Sequence, residues 1–461
     1  MRWPGRPARE HGHDARATRE RADARGTVRF KKVLEAISVN QIIGVLIIVL
    51  GSTFCVRGQQ AASVPTSEVG QAQLESLRRS GIEALYNLDY DKAQKDFKEI
   101  VTLYPGHPSG PQMLAARIWI KTLYESRRLQ SSLYSSESFY SSGDDKVDPK
   151  VIAEFRSLTR EAKRLSEVRL KKNPKDVEAL YWLGSTEGLK ASFEEAVERR
   201  HFAALKDGND SVDHHREVLK LDPNFIDVGL TIGLYEYVVG SLPLPIKVVA
   251  GITGFRGSKK KGLALVERVS REGVWARDDA KTLLIILYTR EKRYQDVLAN
   301  ARELTRKYPR NYLFRLEAAG ALVAQAEVER KAKNIEAAVK AEREAFATFE
   351  DLLRDRSVRE TVSRVLDLVH FKYGEVLLTA GEGERAAKEF IAATKAERAE
   401  PGLVTMAHLY AARAFDLAGK RSDALSQYRE VLTRPDIYAA HDEAKRGLKE
   451  PYKTQIASSG M

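Results

Sequence analysis

The sequence predicts an all-α fold, a right-handed solenoid of about six or seven antiparallel helix pairs spanning residues 69–455. Three observations predict it. Gly81, Ala93 and Phe97 are spaced 12 and 4 residues apart, and Gly374, Ala386 and Phe390 repeat that spacing. Ala412, Ala424 and Tyr428 repeat it again, 38 residues after the preceding copy. Between apolar-periodic stretches the chain is punctuated by Pro105, Asn173-Pro174, Asp222-Pro223 and Tyr308-Pro309, and the residue before a proline is driven out of the helical region. A fixed period of this length belongs to helical arrays, which bind other molecules far more often than they transform them.

The spacing has a direct physical reading. Two antiparallel helices approach closely only where small residues meet at the crossing. Gly81, Gly374 and Ala412 supply the first small residue, and Ala93, Ala386 and Ala424 the second. The aromatic one turn later (Phe97, Phe390, Tyr428) shares the face of the second small residue and fills the space beside the crossing. This pattern resembles the tetratricopeptide repeat (TPR), and the resemblance implies an open concave groove lined by the first helix of each pair.

The elements follow in order. Helices over 73–88 and 90–104 form the first pair, turning at Asn87–Asp89. Helices over 111–127 and 149–172 flank a Ser-rich stretch, 130–147, which reads as a mobile loop or as a lid pinned by Tyr134, Phe139 and Tyr140. One long helix is predicted over 176–199, with Trp182 and Gly184 on its packing face, and another over 212–221. Pairs follow at 277–290 with 295–307, at 358–379 with 383–397, and at 403–417 with 421–433. Residues 312–354 read as two extended helices, and 438–448 as an amphipathic cap.

Residues 226–273 depart from the pattern. An almost wholly apolar helix over 228–242 stops at Leu242-Pro243-Leu244-Pro245. A short apolar run follows, then Gly254-Phe255-Arg256-Gly257 and Lys259–Lys261. The segment reads as a buried helix, a proline-directed turn and a short helix packed on the array. Its rival is a membrane-touching hairpin, because lysines beside an apolar run suit an anionic surface. This order resembles the middle of a eukaryotic TPR family that includes the inclusion-body clearance protein of mitochondrial outer-membrane and lipid-droplet surfaces. The resemblance implies an interaction scaffold without catalytic residues.

Charge adds little to a nucleic-acid reading. The chain of 461 residues carries a net +12, but residues 1–34 hold ten Arg and Lys against four Asp and Glu. The remaining body is an ordinary mixed-sign helical surface, so no nucleic-acid partner is expected. The leader, 1–34, has no apolar period and should not fold. Its length suggests that translation starts at Val28. Within 35–58 the apolar run Ile42–Leu50 follows Arg29, Lys31 and Lys32, the order of an export signal. The run is short for a bilayer span, which favours a cleaved signal over a single transmembrane anchor. Either form places the body on the extracytoplasmic side, in the periplasm, with a membrane contact open through the leader. Cys55, the only cysteine, follows Phe54, which is too bulky for a lipid-attachment site, and a lone cysteine leaves the body without disulfides.

The sequence offers no chemistry. It contains no His-Glu-x-x-His, no paired-cysteine motif, no Gly-x-Ser-x-Gly elbow and no Gly-Lys-Ser/Thr phosphate loop. His214 and His215 point about 100° apart on a helix and cannot easily share an ion. No cofactor, no metal and no enzyme activity are therefore expected. The expected function is a non-catalytic scaffold binding a protein or peptide in its concave groove, with a membrane-associated structural protein as the alternative. Counting from the small residues, the groove falls to Ile82, Leu85 and Tyr86 in the first pair. It falls to Phe371, Glu375 and Leu378, with Thr379, in the next-to-last, and to Leu409, Arg413 and Asp416, with Leu417, in the last. The sequence does not set the oligomeric state.

Overall fold

A computed structural model describes residues 68–126, 129, 147–242, 247 and 256–453. The basic leader, the apolar run with Cys55, the Ser-rich stretch and the proline turn after Leu242 lie outside them. Helix α1 (Glu68–Tyr86) pairs with α2 (Tyr90–Leu103), α3 (Ser109–Glu125) with α4 (Pro149–Lys172), and α5 (Val177–Phe193) with α6 (His201–Leu221). Next come α7 (Gly229–Ser241) with α8 (Lys259–Glu272), α9 (Arg277–Arg290) with α10 (Tyr294–Lys307), and α11 (Tyr312–Lys331) with α12 (Ile335–Arg354). After the short α13 (Arg359–Ser363), α14 (Leu366–Thr379) pairs with α15 (Gly383–Thr394) and α16 (Pro401–Leu417) with α17 (Arg421–Leu432), and α18 (Ala440–Lys449) packs on the last pair. No strand occurs among the described residues, and none of their helices is long and apolar enough to cross a membrane. The architecture is a TPR-like helical solenoid.

The crossings are built as the spacing requires. A Cβ on Gly81 would stand 2.3 Å from the Phe97 ring, and one on Gly374 would stand 2.8 Å from the Phe390 ring. Ala93, Ala386 and Ala424 are fully buried. The same grammar continues where the sequence hides it. Gly184 on α5 lies under His215 and against the Ser211 carbonyl of α6, so Ser211 and His215 hold the positions of the second small residue and the aromatic. Gly233 on α7 meets Gly262 and Val266 on α8 in the same way.

This accounts for the corrections to the expected layout. Within residues 226–273 the helices α7 and α8 pack as one more pair, which brings the pairs among the described residues to eight. The helix expected over 212–221 begins at His201. The helix expected over 176–199 ends in a π-helical turn, Glu194–Glu198, followed by Arg199 in the left-handed region at φ 56°. The helix expected over 358–379 is broken between α13 and α14, where the buried Asp367 carboxylate accepts from the backbone N–H groups of Leu368 at 2.8 Å and Glu400 at 3.0 Å.

Five hairpins share one turn. Leu88, Lys292, Lys333, Gly381 and Gly419 each have positive φ, two residues before the second helix begins. The next N–H reaches back five residues, as from Asp89 to Ala84 at 2.8 Å and from Lys420 to Phe415 at 2.9 Å. That closure satisfies carbonyls which the end of the first helix leaves open.

Candidate partner-binding face

First helices carry two faces in this array, one toward their own second helix and one inward. On α1 the inward row is Glu75, Arg78, Ile82 and Leu85, and on α3 it is Ser109, Gln112, Ala116 and Trp119, steps of three and four that keep one side of a helix. On α5, Glu178 and Trp182 face the same way, whereas Tyr181 stacks on His215 of α6 at 5.5 Å. One side chain ties the rows together. The Arg78 guanidinium, 1% exposed, meets Glu75 at 2.5 Å, Ser109 Oγ at 3.2 Å and Glu178 at 3.6 Å. It also lies 5.1 Å over the Trp182 ring. The three rows therefore converge on one face.

His107, from the turn before α3, joins them. Its ring stands 3.0 Å from Glu178 and 2.8 Å from Ser109 Oγ, and its Nδ1 accepts from the Ser109 N–H at 3.1 Å. Arg169 of α4 reaches Asp176 and Glu178, both at 2.9 Å. Burial alone would raise the Glu178 carboxyl, but His107, Arg169 and Arg78 outweigh it and hold it well below the usual carboxylate range. Burial pushes the His107 imidazole down, against the pull of Glu178. The Glu75 carboxyl goes up, because its burial outweighs the Arg78 charge. Ser109, His107 and Glu178 have the order of a hydrolytic triad. However, Ser109 is fully buried and already accepts from Arg78, so no carbonyl carbon can reach it.

Buried polar atoms on α1, α3 and α5 have nothing to bond. Both amide atoms of Gln112, Trp119 Nε1, Ser185 Oγ and Glu75 Oε2 are buried without a hydrogen-bond partner. Leaving such groups unmade costs about 1–3 kcal/mol each.

Of the groove residues expected from sequence, Ile82 and Leu85 lie in the α1 row, partly and fully buried. Tyr86 is taken up by a contact within the chain. Its ring stacks on Tyr308 at 4.6 Å, its hydroxyl donates to Asp279, and its carbonyl accepts from Asn311 Nδ2 at 2.8 Å. Arg310 adds an ion pair to Asp89 at 3.3 Å, and Tyr124 donates to the Thr361 carbonyl at 3.0 Å. The first two pairs thus fold back onto α9–α13 and close one turn of the solenoid, and α3, α5 and α9 are buried nearly all round.

The remaining candidates form a second cluster at the C-terminal end. Phe371 and Leu409 are core residues, 0% and 1% exposed, with Phe371 edge-on to Phe390 and Tyr410. Their side chains offer no surface to a partner. Glu375 pairs with Lys372 at 2.8 Å, and Leu378 is half-buried. Arg413 lies between the Tyr410 and Tyr452 rings, 5.1 Å from each, and pairs with Glu443 at 2.8 Å. Asp416 holds Arg421 at 2.8 Å, the Tyr428 hydroxyl at 3.0 Å and the Tyr452 N–H at 2.8 Å. The tail after α18 therefore covers Arg413 and Asp416. Sequence reasoning missed Arg78, His107 and Glu178. Extending the α1 row one turn back from Ile82 reaches Arg78, but α3 and α5 carry no in-register motif from which to count.

A cleft of about 320 Å³ lies between α12, α14 and α15, lined by Glu350, Leu353, Arg354, Tyr373, Arg385, Lys388 and Glu389. Glu350 is held there by Tyr373 at 3.1 Å and Arg385 at 3.2 Å. Among the described residues no cluster of three His, Cys, Asp or Glu side chains could hold a metal ion.

No protein-family model and no curated protein matches the chain. Solved structures similar to it include the human IFIT1 dimer with m7Gppp-AAAA, 16% identical over 84% of this chain and 86% of that one, with a TM-score of 0.39. Yeast Tom70 is 12% identical over 81% of this chain and 87% of that one, with a TM-score of 0.27. Both likenesses are distant, and the solenoid rests on the hairpins themselves.

Proposed function

We propose that this chain is an exported, non-catalytic helical-repeat scaffold that binds a protein or peptide on the inward face of its first helices. The observation that carries the reading is the convergence of the first helices α1, α3 and α5 on Arg78, which meets Ser109, Glu178 and Trp182. Charged groups that could act as acids or bases there are locked in ion pairs, which suits positioning rather than proton transfer. The basic stretch before an apolar run at the N-terminus supports export, with the run either removed or kept as a tether. The test is affinity capture of the tagged chain from envelope extract, followed by hydrogen-exchange mapping of the captured complex. Slowed exchange in first helices such as α1, α3 and α5 is the expected result. Capture of nothing, or protection confined to second helices such as α2, α4 and α6, overturns it.

A further inference from the structure

The junction of α5 and α6 combines backbone strain with an unbalanced buried charge. The π-helical turn Glu194–Glu198 ends at Arg199 in the left-handed region, at φ 56°, a conformation that is costly for any residue but glycine. In that turn one oxygen of the Glu194 carboxylate, Oε2, is buried with no donor, and Oε1 has Arg200 at 3.4 Å. The Asp207 carboxylate of α6 faces Glu194 within hydrogen-bond reach. Two acceptors meet there, and they hold together only when one of them carries a proton. The cations around the pair are divided among other acids. Lys190 of α5 stands 2.9 Å from Asp207 and equally 2.9 Å from Glu187. Lys206 is 3.9 Å from Asp207 and holds Asp210 at 2.8 Å. Arg200 lies 3.4 Å from both Glu194 and Glu198, and Arg156 of α4 is engaged by Glu198 at 2.6 Å. His201 pairs with Glu195 at 2.8 Å. Burial first, and then the Asp207 charge, push the Glu194 carboxyl up to about 7, with Arg200 and Lys190 opposing.

We infer that Glu194 and Asp207 share one proton and that its loss unlocks the π-helical turn, which makes the α5–α6 junction a pH-sensitive hinge. With the proton in place, Glu194 donates to Asp207 and holds the turn against α6. Without it, two negative charges repel at a site largely shielded from water, and the strained turn is the backbone that yields. The folded chain keeps the proton up to about pH 7, whereas the unfolded chain releases it near 4.5. The junction therefore loses stability as pH rises through that window. The hinge is independent of the partner-binding face, because Glu178 and Trp182 lie toward the other end of α5.

The test is hydrogen exchange of the full chain at about pH 5.5 and about pH 8, read as protection factors, which remove the intrinsic pH dependence of exchange. Wild type is compared with Glu194→Gln, whose amide keeps a donor toward Asp207 and carries no charge. Wild type is expected to lose at least about tenfold protection over residues 194–206 between the two pH values, and Glu194→Gln to keep it. Asp207→Asn removes the repulsion from the other side and supplies the same comparison if Glu194→Gln does not fold. Unchanged protection in wild type overturns the hinge. An equal loss in the variant assigns the loosening to the His201–Glu195 pair, which titrates on the same turn, and overturns the hinge as well.

Discussion

The Tyr86 hydroxyl donates to Asp279 across 193 positions of sequence. Two ends of one solenoid turn are joined there by a polar, aromatic contact rather than by an apolar seam. Replacing Tyr86 by Phe keeps the stack on Tyr308 and removes the donor from a buried carboxylate. The expected loss is about 1–3 kcal/mol in denaturant unfolding, with faster hydrogen exchange at residues 86–90 and 308–312. Unchanged stability and exchange would show that the hydroxyl contributes nothing to closure.

The crossing residues tolerate little. Ala386 is fully buried between α14 and α15, so Ala386→Glu must separate two helices or bury an unpaired charge. A loss of at least about 3 kcal/mol is expected, measured by urea unfolding. Wild-type stability in that variant would contradict the packing described for the pair.

The shared turn gives a prediction of opposite signs. Lys333 is exposed and held at φ 62°, a conformation that strains a side chain, and Lys333→Gly should stabilise the protein by about 1 kcal/mol. Gly419 has φ 72° with no atom within 4 Å of an added Cβ. Gly419→Ala should therefore destabilise by about 1 kcal/mol through the backbone alone. Equal effects of the same sign would refute the left-handed turn.

His215 makes the fold acid-sensitive. Burial pushes its imidazole down to about 4, against the bond it donates to the Tyr181 carbonyl. The unfolded chain takes up the proton near pH 6.5 and the folded chain only near 4. Stability is thus lost as pH falls through that window, by as much as about 3 kcal/mol. The repeats around Phe97 and Phe390 put Phe at the equivalent place. His215→Phe should fold and flatten the stability profile between pH 6.5 and 4. A slope equal to wild type would remove His215 as the cause.

Much of this fold was legible because the crossings and turns are local. The small residues and aromatics of the first and last two pairs stand at fixed spacing, since only small residues fit where Phe97 and Phe390 press on glycine. The α5–α6 pair obeys the same rule, but its longer helices and π-helical turn move Ser211 and His215 well beyond the usual spacing from Gly184. The apolar composition of α7 likewise masked a pair whose crossing is glycine on both helices. The inward face was legible only in part. Ile82 and Leu85 follow from counting, whereas the burial of Tyr86 by Tyr308 depends on how far the superhelix turns. No local pattern encodes that.

The central claim is a solenoid whose first pair closes onto α9–α11 and so forms the enclosed inward face. Paired spin labels at Lys92 and Arg306, both exposed, measure that closure directly, after Cys55 is replaced by Ser to leave no other thiol. A single short, narrow distance distribution is the predicted result. A broad distribution centred at the separation of an open, extended array would contradict it.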